Sequence, residues 1–289
     1  MAQIHHFDHG WITPTISYIL SVLGSMLGLT CAIRFRSAAG RGERIWWLVL
    51  ASVSIGGTAI WSMHFVAMMG FSVVGTPIRY DIGLTAASAI IAVVAVGVGL
   101  AIALLGKGAQ NLRILSGGVI AGLGVAAMHY TGMAAMKLHG DVSYAMSRVG
   151  LSVGIAVVAA AVALWLAVTV RRPLVVFAAA LVMGIAVNGM HFTGMTAMSV
   201  DTDASTVQLP GATAGGMIVP IGVAVVFGII GLAYALMSAP TEEDRAASAY
   251  LAQRREEAAA RIPKQAGPPA PGSLASGAWT YRDRDRTSR

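Results

Sequence analysis

A chain of 289 residues in which 56% are hydrophobic and only 11% charged is too poor in charge for a water-soluble domain, where roughly a quarter of residues are charged. Its net charge of +7 is not a nucleic-acid signature, because no basic stretch is interleaved with aromatic residues. The single cysteine, Cys31, excludes an internal disulfide and reads as an inert buried thiol.

Residues 1–12 form a His-rich lead, with His5, His6, Asp8 and His9. They carry no Lys or Arg, so they lack the basic segment of a cleaved secretion signal. Seven apolar runs follow, each near the ~20 residues that cross a bilayer as a helix. They are Pro14–Ile33, Ile45–Gly70, Ile82–Leu105, Ile114–Met136, Val149–Val170, Leu174–Met198 and Gly215–Met237. Their many Gly and Ala residues suit close helix approach in lipid. Residues 13–238 are thus expected to be an all-α integral membrane domain with seven transmembrane helices. Residues 239–262 are charged and alanine-rich and predict a short cytoplasmic surface helix. Residues 263–289 are rich in Pro, Gly and Ser and then in alternating charge, which predicts a disordered tail.

The loops after spans one, three and five hold eight basic residues: Arg34, Arg36, Arg41, Arg44, Lys107, Arg113, Arg171 and Arg172. Those after spans two, four and six hold three, Arg79, Lys137 and Arg148, beside Asp81, Asp141, Asp201 and Asp203. Positive loops stay inside, so the N-terminus is expected outside and the C-terminal tail in the cytoplasm, across a bacterial inner membrane.

Three of the spans end alike: "AIWSMHFVAMM" at 59–69, "VAAMHYTGMAAM" at 125–136 and "VNGMHFTGMTAM" at 187–198. Their histidines, His64, His129 and His191, are 65 and 62 residues apart, one pair of spans each time. The core therefore reads as three parallel two-helix repeats plus a seventh span, not the inverted repeats of many transporters. All three motifs fall at one level in the outer part of the membrane. At ~1.5 Å per residue, His64 lies roughly 10 Å below the outer end of its helix.

In the second and third copies His, Met and Met stand at i, i+4 and i+7: His129, Met133, Met136 and His191, Met195, Met198. Such offsets share one helix face. The first copy keeps His64 and Met68 but has Phe71 at i+7, with Met69 one residue off the stripe. Met63, Met128 and Met190 precede the histidines and point about 100° away, toward a neighbouring helix.

Thioether prefers Cu(I), and imidazole accepts Cu(II), zinc or iron as well. Zinc more often uses Cys, Asp or Glu, and magnesium or calcium needs oxygen; no acid stands at motif depth. The expectation is a copper centre, Cu(I) or Cu(II), ligated by His64, His129 and His191. Met68, Met133, Met136, Met195 and Met198 would complete or flank the shell. Met63, Met128, Met190, Met69, His5, His6 and His9 are accessory candidates; the three N-terminal histidines either cap the site or form only a polar lead-in. Methionine alone is ordinary core filler, and a lone membrane histidine can simply bond a neighbouring helix. Threefold repetition is what favours function, as intramembrane ionisable groups generally do. Thr131 and Thr193 can bond carbonyls of their own helices or orient an imidazole; Asn188 is a further orienting candidate. Gly132 and Gly194 would let another helix approach closely.

The motifs resemble the MHYT domain over about residues 10–238. "MHYT" stands at Met128–Thr131, "MHFT" at Met190–Thr193 and "MHFV" at Met63–Val66, where Val66 departs from the pattern. The resemblance implies a bacterial membrane sensor of six or seven spans that holds copper and responds to a diatomic gas such as O2, CO or NO. Relatives often carry cytoplasmic cyclic-dinucleotide or kinase-type output domains. Here a signal would pass to a separate partner on the cytoplasmic side or through the short tail. The signal sensed could instead be copper or redox state; a copper acquisition, storage or delivery protein is the alternative, and a bis-histidine haem or redox protein a third reading. No nucleophile or carboxylate pair accompanies the histidines, so an enzyme is not the expectation.

Overall fold

A computed structural model describes residues 2–203, 207–237 and 242–261; the expected disorder of 263–289 lies outside these. Helix α1 is Ile12–Ser37. Helix α2, Arg41–Ser52, runs on through a π-helical segment, Val53–Ser62, into α3, Met63–Met68. Helices α4, Ile82–Leu105, α5, Gln110–Ala134, α6, Met146–Thr169, and α7, Pro173–Met195, complete six elements that, among the described residues, are long and apolar enough to cross a membrane. The seventh apolar run is helix α8, Ala214–Met237. A separate unit holds helix α9, Glu242–Arg261.

Most helices begin a few residues before the apolar runs do, since the hydrogen-bond ladder continues past the last greasy side chain. The three motif helices end earlier than expected, because the chain turns there into short strands. These are β1, Ile4–His5, β2, Ser72–Val73, β3, Arg79–Tyr80, β4, Met136–Lys137, β5, Asp141–Tyr144, β6, Met198–Asp201, and β7, Ala212–Thr213. Strand β1 pairs with β2, β3 with β4 and β5 with β6, all antiparallel, and β7 adds to β3. The structural repeat is therefore strand–helix–helix–strand, three times over.

One hydrogen bond recurs at the same place in each repeat. The carbonyl six residues beyond the motif histidine accepts a backbone N–H from just before the repeat's first helix. The pairs are Asp8 to Gly70 (2.8 Å), Asp81 to Ala135 (2.8 Å) and Ala145 to Ala197 (2.9 Å). Each bond satisfies a carbonyl that the helix end leaves free.

The six spans close into a ring. α1 packs on the second span, which packs on α4, then α5, α6, α7 and back to α1. α8 leaves the ring and packs against the π-helical segment. Small residues set the spacing: a Cβ on Gly118 would stand 2.7 Å from the Cα of Ala161 on α6, so only glycine permits that approach.

Some of the basic residues counted for topology also cap helices. Arg36 donates to the carbonyls of Val168 and Val170 at the end of α6. Arg113 donates to Ile102 (2.8 Å), Ala103 (2.7 Å) and Gly106 at the end of α4. Arg148 reaches the Thr196 carbonyl beyond α7. Cationic caps of this kind suit the negative end of the helix dipole.

Candidate metal centre

The second span reaches the site through the π-helical segment, whose wide turn changes the direction in which the following residues point. Its carbonyls and side chains are tied to both neighbours. Ser21 donates to the Ala59 carbonyl (2.9 Å) and Ser54 to that of Gly24 (2.9 Å), fixing the segment to α1. Trp61 Nε1 donates to Ser88 Oγ (3.0 Å) on α4. π-Helical turns cluster at functional sites, and this one ends at Ser62, two residues before His64.

His64 on α3, His129 on α5 and His191 on α7 come together, each no more than 1% exposed. Their rings stand nearly at right angles, with centroids 4.9, 4.9 and 5.2 Å apart. His64 Nδ1 is 3.0 Å from His191 Nδ1 and 3.2 Å from His129 Nδ1. Among the described residues no other three His, Cys, Asp or Glu side chains converge as a candidate metal site.

The outer nitrogens explain two glycines. His64 Nε2 abuts Gly132 and His129 Nε2 abuts Gly194; a Cβ on either glycine would also stand 2.9 Å from the ring's Cδ2. These positions admit an imidazole of the neighbouring repeat, not a whole helix as the sequence suggested. Both Nε2 atoms are buried without a hydrogen-bond partner. Orientation here comes from steric seating, where metal-bound imidazoles usually rely on a hydrogen bond to the second nitrogen.

Three nitrogens ~2.0 Å from a common ion, the usual imidazole–metal length, stand roughly 3.5 Å apart when trigonal. The two separations from His64 need to widen by only a few tenths of an ångström, and all three ligating nitrogens lie within 4.8 Å of one another. An all-imidazole set with no carboxylate fits a soft or borderline ion such as copper.

The methionines gather one turn beyond. Met68, Met133, Met136, Met195 and Met198 join one buried cluster with Phe65, Phe71, Tyr80 and Met217. Met136 and Met198 do not lie on the helix face expected of them: α5 stops at Ala134 and α7 at Met195, so both enter the cluster from strands. Met69 packs half-buried at its edge. Met63, Met128 and Met190 are fully buried.

The strands add aromatic rings that sequence reasoning missed. Tyr80 pairs with Met136 and Tyr144 with Met198; in the first repeat the His6 ring lies 5.6 Å from that of Phe71. The signal was present as an aromatic or histidine just ahead of each repeat's first helix. Burial raises the pKa of both tyrosines and lowers that of His6, favouring the neutral form of each. His5 and His9 are exposed.

Two of the three candidate orienting residues hydrogen-bond elsewhere. Asn188 accepts from Ser17 (2.9 Å) and donates to Ser21 (3.2 Å) and the Gly184 carbonyl (2.9 Å), joining α7 to α1 instead of touching an imidazole. Thr193 donates to the Gly189 carbonyl of its own helix (2.7 Å). Thr131 is half-buried on α5. Its neighbour Tyr130 bonds Ser152 on α6 (2.6 Å).

Three consecutive stretches, residues 57–118, 122–180 and 184–251, match the family model described as MHYT, bacterial signalling protein N terminal repeat. The chain belongs to the MHYT family. Each matched stretch begins shortly before a motif, so the family repeat pairs a motif span with the span after it. The strands instead pair each motif span with the span before it. The MHYT chain is 40% identical over 195 residues to the bifunctional diguanylate cyclase/cyclic di-GMP phosphodiesterase MucR of Pseudomonas aeruginosa, covering 66% of this chain and 28% of that protein. It is 38% identical over 157 residues to the cyclic di-GMP phosphodiesterase NbdA of the same organism, covering 52% and 20%. The signaling protein YkoW of Bacillus subtilis is 29% identical over 209 residues, covering 68% and 25%. The chain thus spans about a quarter of the length of these relatives. No solved structure matches it.

Proposed function

We propose that this MHYT protein is a copper-binding membrane sensor of a diatomic gas, O2, CO or NO. His64, His129 and His191 would hold the ion through Nδ1. The observation that carries this reading is the convergence of three Nδ1 atoms, one from each repeat, inside a membrane domain. Bound copper would supply a soft centre with an open coordination position. The residues around it do the rest. Gly132 and Gly194 seat two of the rings, and the methionine and aromatic layer excludes water from the outer side. The π-helical segment sets the direction of His64. Any widening or tightening of the imidazole triangle moves α3, α5 and α7 together, and these belong to spans that begin at the basic loops.

In this reading the N-terminus is outside, the basic loops face the cytoplasm of a bacterial cell, and a separate signalling partner takes up the movement there. MucR and NbdA act in cyclic di-GMP turnover, the kind of output such modules serve. The buried methionine layer also favours a second reading, copper acquisition or handover, since thioethers bind Cu(I) weakly enough to release it.

The test is metal analysis of purified protein after reconstitution with Cu(I), wild type beside His129→Ala. Stoichiometric copper that is lost in the variant is the expected result; equal copper in both overturns the ligand assignment. Unchanged copper uptake in cells lacking the protein would argue against the handover reading.

A further inference from the structure

Four residues before each motif histidine, toward the basic end, stand Ile60, Val125 and Val187, one from each repeat. With Met190 they line a cavity of about 60 Å³, to which all six ring spans contribute. Each of the three stands about one helical turn from its motif histidine, so the cavity lies next to the imidazole layer.

The chemistry of the cavity is one-sided. Every lining side chain is apolar except Ser25, whose hydroxyl is fully buried and has no hydrogen-bond partner. A water needs only ~10–15 Å³ but two to four polar partners. This space has room for several waters and polar groups for none. Apolar cavities of that kind stay dry and take up xenon or small apolar molecules.

Access runs sideways. A groove between α6 and α7 shares Ala159, Met183 and Ala186 with the cavity lining. Its rim residues Val158, Val162 and Val182 are exposed on the apolar outer surface. Gly150 and Gly154 keep it open, for nothing stands within 4 Å of where their Cβ atoms would be. The opening faces the acyl chains, where apolar solutes concentrate, and not the water at either end.

We infer that the cavity is a docking site for a small apolar gas, which enters from the bilayer between α6 and α7 and is held beneath the imidazoles. The identity of the gas as a diatomic rests on the sensor reading above; the existence of the site does not. The experiment is xenon pressurisation of crystals of the metal-free, full-length protein, with Cu(I) titrated separately in solution. Xenon is expected beside Ser25 and Leu164. Ala160→Leu, which fills the cavity, should lose that xenon peak and keep wild-type copper binding; Ala163→Val is the milder variant should the first fail to fold. No xenon in the wild type, or xenon undiminished in a folded filling variant, overturns the site. Xenon without copper would remove the metal reading and leave the cavity standing.

Discussion

Replacing Gly132 by Ala adds one methyl group against the imidazole of His64, and two effects oppose each other. Alanine in a helix is favoured over glycine by about 1 kcal/mol. Forcing an extra carbon into a packed interior costs about 1–3 kcal/mol, and the added Cβ would stand 2.9 Å from His64 Cδ2 as well as against Nε2. The net loss of stability is therefore about 0–2 kcal/mol, so the variant folds. Relief comes by turning the ring, which carries Nδ1 away from its partners at 3.0 and 3.2 Å. Losing the group that orients a metal ligand typically weakens binding ~10–100-fold, about 1.4–2.8 kcal/mol. The assay is competition of the detergent-purified protein with a Cu(I) chelator. Gly154→Ala, where nothing lies within 4 Å, should keep wild-type affinity and gain up to about 1 kcal/mol of stability. Wild-type copper affinity in Gly132→Ala would refute the idea that glycine seats the imidazole.

Asn188→Ala should lower thermal stability by about 0.6–1.7 kcal/mol, the span of interhelical hydrogen bonds in membranes, and leave copper stoichiometry unchanged, because its partners are Ser17, Ser21 and Gly184. Lost copper in the folded variant would mean that Asn188 supports the site after all. The Asp81 carboxylate is held below its ordinary pKa by a hydrogen bond from Lys137 (2.8 Å) and by the Leu84 N–H that it caps. A depressed acid stabilises above its unfolded value, near ~3.9, and loses that contribution as pH falls through the folded value. Asp81→Asn should therefore melt earlier than wild type at pH 7, and the gap should close toward pH 3; a gap independent of pH would contradict this.

The repeat, the spans and the imidazole triad were legible in the sequence because each leaves a one-dimensional trace. Span length follows from bilayer thickness. Histidines 65 and 62 residues apart must return to one depth if each interval is two spans. What was not legible depends on distances between helices. Gly132 and Gly194 stood out as close-packing residues, but only the fold shows that the approaching group is the neighbouring repeat's imidazole. Asn188 sits three residues before His191 yet faces α1, since sequence proximity does not fix which of two flanking helices a side chain meets. The i, i+7 spacing suggested a helix face for Met136 and Met198, whereas the helices stop short and strands carry these residues inward. The ten-residue π-helical segment has no periodic signature, and it distinguishes the first repeat from the other two.

The strand–helix–helix–strand unit has an even number of spans, so it begins and ends on one side of the membrane and brings a single imidazole to the axis. A chain of one such unit has every part of the centre except its other two copies. Three identical two-span subunits around a threefold axis would assemble the same triangle of nitrogens. Joining three such units in one chain needs no inversion of any unit and leaves each copy free to differ, as the first does in its π-helical segment. The centre thus holds, inside one chain, the place that a subunit interface would hold in such a trimer.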